Sequence, residues 1–317
     1  MTKSPTVSVV MSVFDKPDHV ARSINSVLNQ SEINLELIVV SDGACDSVVE
    51  TINGFDDSRL TRINQVNQGL TNALINGCKA AKSPYIARID AGDEMAPQRL
   101  VLQSEFLSSN PTVAVVGCAV KMVTEEGFPL FDVNMSADDL QRRLISTRVG
   151  DFKSYVHSSV MFRKQAYEQV GGYRSEFYFT QDCDLWARFV WAGFNLGMIN
   201  ETMQTNVFSS SGISGQHRAS QQALEKIIVE MNRLRSLGQN DSPLLTEAAR
   251  FRPSSRDAIT IARRADNFEG DYFIASTLSL SSPKQALVYW RKTFSAKPWS
   301  LKVLVKASAC WLRALVA

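Results

Sequence analysis

Apolar residues in the first part of the chain fall into two alternating kinds of run. "VSVVMSV" (Val7 to Val13), "LELIVVSD" (Leu35 to Asp42), "YIARID" (Tyr85 to Asp90) and "TVAVVGCAV" (Thr112 to Val120) are short, β-branched and nearly continuous. Such runs suit strands buried on both faces of a parallel sheet. Between them, "DHVARSINSVLNQ" (Asp18 to Gln30) carries Val20, Ile24, Val27 and Leu28 at helical spacing, with Asp18 as a candidate N-cap. Leu70 to Ala81 and "APQRLVLQSEFLSS" (Ala96 to Ser109) read as further helices. Strand and helix in alternation predict an α/β domain with a mostly parallel central sheet flanked by helices. Ligands of such sheets sit beyond the carboxyl ends of the strands, where the acidic turns at Asp42 and Asp90 fall. No GxGxxG follows the first strand, so a dinucleotide phosphate turn is not expected.

After about Gly215 the pattern changes. "SQQALEKIIVEMNRLRSLG" is helical, with Leu224, Ile227, Ile228, Met231 and Leu234 on one side. A polar link (Gly238 to Pro243) follows, then further helices broken at Pro253, Pro283 and Pro298. The expected organisation is an α/β domain over 1–215 and a helical C-terminal region over 216–317. From Lys284 onward every charged side chain is basic: Lys284, Arg291, Lys292, Lys297, Lys302, Lys306 and Arg313. They are interleaved with Trp290, Phe294, Trp299, Leu301, Val305, Trp311 and Leu315. Two readings stand side by side. One is an interfacial segment over 284–317 on an anionic membrane surface. The other is a helical cap with a solvated basic face.

Composition narrows the class. The 317 residues are 44% hydrophobic and 21% charged, as expected of a globular protein with a sizeable core. A net charge of +2 argues against a nucleic-acid partner. Five scattered cysteines without a CxxC pair fit reduced thiols in a cytosol better than disulfides or zinc. The start of the chain lacks signal-peptide features, and no uninterrupted apolar segment is long enough to span a bilayer. The expected location is cytoplasmic, peripheral at the inner face of the membrane if the basic tail docks there.

Acidic residues recur at element ends: Asp42, Asp46, the Asp90–Asp93 turn, and Asp182 and Asp184 in "TQDCDLW". One such carboxylate is ordinarily a cap or turn former, and Asp182 is also a fair N-cap. Paired carboxylates on a short turn suit a hard divalent cation that bridges substrate phosphates. A further carboxylate across a cleft suits a general base toward a hydroxyl. Trp186, Phe189, Val190 and Phe194 read as the buried side of one helix.

Five stretches in order carry a resemblance: "VSVVMSVFD" with "SVLNQ"; "ELIVVSDGACD"; "NQGLTNALINGCKAAKSPYIARIDAGDEMAPQRL"; "HSSVMFRKQAYEQVGGYR"; and "TQDCDLWARFVWAG". Together they resemble family-2 glycosyltransferases of bacterial surface-polysaccharide type, over roughly residues 5 to 215. The resemblance implies an A-type glycosyltransferase fold with a Rossmann-like nucleotide-binding half, and inverting transfer from a nucleotide diphosphate-sugar donor to a glycan or lipid-linked acceptor. It implies that Asp42 bonds the nucleotide base, with Val13 and Phe14 lining the same pocket. Asp90 and Asp93 match the turn that meets the donor and a divalent cation, Mn²⁺ or Mg²⁺. Asp182 matches the base that deprotonates the acceptor. Asp184, Trp186 and His157 match acceptor-side positions.

The chain also departs from that family's pattern. Ser41 precedes Asp42 where an acidic pair is usual, Gly92 interrupts the acidic turn, and Leu74 stands where an arginine is common. "TNVFSSSGIS" offers neither the histidine nor the cation expected near the leaving group. These gaps motivate an alternative: a nucleotide-sugar-binding or scaffold protein of the same fold with impaired catalysis. A nucleotidyltransferase would want a glycine-rich basic loop, and "FDKPDH" is not one.

Overall fold

The protein is described here by a computed structural model covering residues 5–15, 17–210, 217–253 and 267–316. The nearly continuous apolar runs form strands β1 (Val7–Val13), β2 (Leu35–Asp42) and β4 (Tyr85–Asp90). Strand β3 (Leu60–Gln65) lies between β2 and β4 in sequence, and β5 (Glu94–Met95) follows β4. Helices α1 (Pro17–Leu28), α2 (Asp46–Asn53), α3 (Leu70–Ala80) and α4 (Arg99–Ser109) alternate with the strands. Next come β6 (Val113–Thr124), β7 (Pro129–Val133), α5 (Ala137–Leu144), β8 (Met161–Arg163), α6 (Lys164–Gln169), α7 (Gln181–Trp191) and β9 (Asn195–Phe208). The rest is helical: α8 (Arg218–Ser236), α9 (Pro243–Ala249), α10 (Phe268–Ser281), α11 (Pro283–Ala296) and α12 (Leu301–Val316).

The strands form one nine-stranded sheet in the order β3-β2-β1-β4-β8-β6-β9-β5, with β7 paired to β6. The β3-β2-β1-β4 half is parallel. Strand β8 runs antiparallel to both β4 and β6, and β5 antiparallel to β9. Strand β1 is flanked by β2 on one side and β4 on the other, so the chain changes direction across the sheet at β1. The register sets Val13 beside Ser41 and Ser12 beside Asp90. This brings the carboxyl ends of β1, β2 and β4 to one edge. A switch point of this kind opens a crevice where α/β sheets bind ligands.

One expectation needs correcting, and two strands carry no mark in the sequence. Helix α1 begins at Pro17, so Asp18 lies in its first turn rather than at the cap. Strands β3 and β9 escape an apolar reading. β3 is a sheet-edge strand that is mostly polar, and the inward positions of β9 include Gln204 and Asn206, which are buried. The helical expectation for 254–266 lies outside the described residues.

Contacts divide the chain into two compact units, neither of them contiguous. The first takes in the described residues of 1–120, 133–206 and 222–252; the second, those of 121–132, 207–221 and 253–317. The division therefore differs from the one expected at 215. Helix α8 explains why: Leu224, Ile227, Ile228 and Met231 bury against Phe177, Phe179, Cys183 and Ala187 of the first unit. The second unit has its own core, in which Tyr272, Ile274, Leu278, Tyr289, Trp290 and Val303 are buried together.

Candidate active site

Val13 is buried at the end of β1, and Phe14, next along, is half exposed. Asp42 ends β2 and is almost wholly buried. Its Oδ1 accepts from Gln65 Nε2 at 2.7 Å and the Gln68 amide at 2.8 Å, while Oδ2 accepts from the Gly69 amide at 2.8 Å. Three of the roughly four lone-pair positions of a carboxylate are thus used inside the protein. Asp42 shapes the loop that starts α3. Gly69 in that loop has φ +87°, and a Cβ there would stand 2.3 Å from the Tyr178 ring. The Arg252 guanidinium lies 6.0 Å from the Tyr178 ring centroid and donates to the Gln68 carbonyl at 2.9 Å. Sequence reading missed Tyr178 and Arg252. They are 110 and 184 positions from the loop they hold, and no local pattern marks them. Leu74 is buried in the core, so that departure from the family pattern concerns packing.

The acidic turn after β4 divides into an open and a closed carboxylate. The Asp90 side chain is 46% exposed and pairs through Oδ1 with fully buried Arg88. Arg88 also donates to the carbonyls of Val10 at 2.9 Å and Ile89 at 3.0 Å, which ties β1 to β4. Asp93 is buried, with its Oδ2 3.4 Å from the Gln204 amide nitrogen. Gln204 in turn donates to Ser158 Oγ at 2.8 Å and Asn206 Oδ1 at 2.6 Å, and accepts from Arg99. Burial lowers the Arg99 pKa to about 10, against the opposing pull of Cys118 and Asp93. Gly92 has φ +110°, and a Cβ there would come 3.3 Å from His19 Nδ1. Helix α1 braces the turn through Ser23, whose Oγ accepts from the Gly92 amide at 2.8 Å and donates to the Asp93 carbonyl at 2.7 Å.

Among the described residues, no group of three or more His, Cys, Asp or Glu side chains could hold a metal ion by itself. Mg²⁺-type sites commonly use one or two carboxylates and take their remaining ligands from substrate phosphates and water. Asp90 fits that mode: it is a hard oxygen donor, half exposed, at the switch point. Asp93, closed in behind the turn, fits less well and braces it instead.

On α7, the first turn is set by Thr180, whose φ of +57° is the only positive value at a non-glycine among the described residues. A left-handed threonine is strained. Here it precedes Asp182 by two residues. Asp182 is partly exposed in the first turn, so it is not the N-cap. Its Oδ2 lies 3.4 Å from Ser154 Oγ. Burial raises its carboxyl pKa, and the surrounding hydrogen bonds only partly offset this. The effect is a carboxylate with more proton affinity than an ordinary one.

Asp184 and Trp186, expected to support and shape the acceptor side, are both fully buried. Asp184 is fully buried and binds Arg188 at 2.8 and 3.0 Å, with Arg174 at 3.5 Å. Trp186 is fully buried against Phe189, Phe162 and Tyr155. Both hold α7 from behind. His157 Nε2 meets the Tyr173 hydroxyl at 2.8 Å, and burial, then Arg88, pushes its pKa well below the ordinary value. It is a neutral, structural imidazole.

A switch-point crevice with an open aspartate at one strand end is shared by many nucleotide-binding folds; comparison with known proteins decides among them. The family model described as Glycosyl transferase family 2 matches residues 8–171. The chain belongs to this family. It is 31% identical over 200 residues to the putative glycosyltransferase EpsE of Bacillus subtilis, covering 61% of this chain and 70% of that one. It is 27% identical over 186 residues to the O-antigen biosynthesis glycosyltransferase WbnJ of Escherichia coli, covering 57% and 70%. Its fold matches that of the mannosyltransferase PcManGT from Pyrobaculum calidifontis, solved with GDP-Man and Mn²⁺, with a TM-score of 0.55 at 15% identity over 99% of this chain and 88% of that one. The architecture is the A-type glycosyltransferase fold, as the sequence motifs imply. The matched residues of the family model end before Asp182.

Proposed function

We propose that this glycosyltransferase moves a sugar, with inversion, from a nucleotide diphosphate donor to a glycan or lipid-linked acceptor hydroxyl in surface-polysaccharide synthesis. The observation that carries the donor side is Asp90: a half-exposed carboxylate at the end of β4, at the switch point, paired in register with Ser12, the residue before Val13. Val13, Phe14 and the loop fastened by Asp42 form the base and ribose end. Asp42 acts there chiefly by holding the loop, with one lone-pair position left for the nucleotide. A divalent cation, Mn²⁺ or Mg²⁺, bound with the donor would draw on Asp90 and neutralise charge on the departing diphosphate. Asp93 holds the turn that presents Asp90.

Asp182 removes the acceptor proton as the hydroxyl oxygen attacks the anomeric carbon. Its partly buried site and raised pKa support this role, and Ser154 orients it. Asp184, Trp186 and His157 support the acceptor side by fixing α7 and the turn before β8. The reaction is placed in the cytoplasm at the inner face of the membrane, a reading supported by the basic, aromatic C-terminal helices. Among the described residues no helix is long and apolar enough to cross a membrane.

The test uses Asp182→Asn and Asp90→Asn, measuring donor binding by calorimetry with and without Mn²⁺ and transfer over a panel of nucleotide sugars and acceptors. Asp182→Asn is expected to bind donor normally and lose transfer by about 10²–10⁴-fold. Asp90→Asn is expected to lose the Mn²⁺-dependent part of donor affinity. Donor binding by the natural chain with no turnover over the whole panel would instead favour a binding protein that has lost catalysis. Gly92 and the closed environment of Asp93 are the features that point that way.

A further inference from the structure

Helix α12 has three faces. Its packing face is narrow: Val303 and Cys310 are buried and Ala307 is half buried against the core of α10 and α11. A second stripe, at the helical period, carries Lys302, Lys306 and Arg313. The ammonium groups of Lys302 and Lys306 lie 4.4 and 4.9 Å from the Tyr272 ring centroid, and Arg313 donates to the Ser279 carbonyl at 3.3 Å. The third and widest face holds Leu301, Leu304, Val305, Trp311, Leu312 and Leu315, all exposed. Trp299, just ahead of the helix, is 93% exposed.

This is the reverse of an ordinary surface helix, which turns its large apolar side chains inward. Here the small or slim residues face the core and the large ones face out. An exposed apolar stripe of this kind marks an interaction surface. Its charge identifies the partner. No acidic residue occurs from 284 to 317, so α12 itself is apolar and basic without an acidic side chain. An isologous contact with a second copy would set these basic stripes against each other. An anionic lipid leaflet satisfies both features, with acyl chains for the leucines and tryptophans and headgroup phosphates for the lysines and arginine. Among the described residues no helix is long and apolar enough to cross a membrane.

We propose that α12, with Trp299, is an in-plane membrane anchor that seats its outer apolar face in an anionic leaflet. It lies at the boundary of headgroups and acyl chains, with Lys302, Lys306 and Arg313 along its headgroup flank. The inference rests on the placement at a membrane proposed above, but not on the transfer reaction. Vesicle binding needs no sugar donor, so its failure and the failure of transfer are separate results.

The experiment sediments the full chain with vesicles of phosphatidylcholine alone or mixed with phosphatidylglycerol, at low and high salt. Three proteins are compared: the natural sequence, Trp311→Ser/Leu312→Ser/Leu315→Ser, and Lys302→Gln/Lys306→Gln. The serine positions are exposed, so circular dichroism and melting should be unchanged. The natural chain is expected to bind the anionic vesicles, with a blue shift of tryptophan emission, and to bind phosphatidylcholine alone much more weakly. The serine variant is expected to lose at least about tenfold in affinity, the equivalent of ~1.4 kcal/mol. The glutamine variant is expected to lose the salt-sensitive part of binding. The proposal is overturned if the natural chain stays in the supernatant, or if the serine variant binds as well as the natural chain. It is also overturned if light scattering shows a dimer that the serine variant dissolves while no vesicle is bound, since the face would then belong to a second copy.

Discussion

At the residue scale, the two aspartates of "TQDCDLW" do different work although only one residue separates them. Asp182 is partly exposed with a raised pKa, while Asp184 is buried among arginines. A carboxyl whose folded pKa is raised binds its proton more tightly when folded. Its contribution to stability is therefore full below the unfolded pKa and is lost as pH rises through the folded one. Two outcomes follow from that sign. Asp182→Asn should unfold at a higher temperature than the natural chain at neutral pH while transfer is lost. In the natural chain, the acid limb of kcat/KM should lie above the ordinary carboxylate range, as a pH–rate profile would show. Asp184→Ala should behave in the opposite way, leaving Arg188 buried without its partner at a cost of about 3–5 kcal/mol. The measurement is the urea midpoint.

At the scale of elements, the proposed donor crevice depends on braces between them. Asp42 at the end of β2 collects three donors from the β3–α3 connection. Asp42→Ala leaves the buried Gly69 amide unpaired and should cost about 1–3 kcal/mol, with donor affinity falling because the loop is released. Ser23 on α1 braces the turn that carries Asp90, donating to the Asp93 carbonyl and accepting from the Gly92 amide. Ser23→Ala should cost roughly 1 kcal/mol for each bond and weaken Mn²⁺-dependent donor binding in calorimetry, although Ser23 itself is fully buried. A variant that melts lower but binds donor and Mn²⁺ unchanged would show that α1 supports the turn's stability alone.

At the scale of the whole molecule, the chain combines a glycosyltransferase fold of known family with a helix that turns its apolar side outward. If α12 anchors the enzyme, the serine variant at Trp311, Leu312 and Leu315 should keep its rate on a soluble acceptor analogue. It should lose rate only on an acceptor carried in anionic vesicles, because anchoring raises the local concentration of a surface-bound acceptor without touching the reacting groups. Equal loss on both acceptors would place α12 in the folding of the enzyme instead.

How much of this could be read from the chain depended on how local the signal was. The parallel strands β1, β2 and β4 and the helix α3 were legible because a strand buried on both faces must be apolar along its length, and a packed helix must repeat its apolar positions. The acidic turns were legible because they end those strands. The strands β3 and β9 were not: one is a polar edge, and the other buries Gln204 and Asn206, whose partners Arg99 and Ser158 lie far away in the chain. The environments within the candidate site were decided only by the tertiary structure. Asp90 is open and Asp93 closed, Asp182 is a candidate base and Asp184 a brace, and Arg252 and Tyr178 reach the loop at Gly69 from distant segments. Residue type and spacing report what a side chain is able to do. Exposure, charge partners and proton affinity arise from neighbours that only folding brings together, and they determine which of those capacities is used.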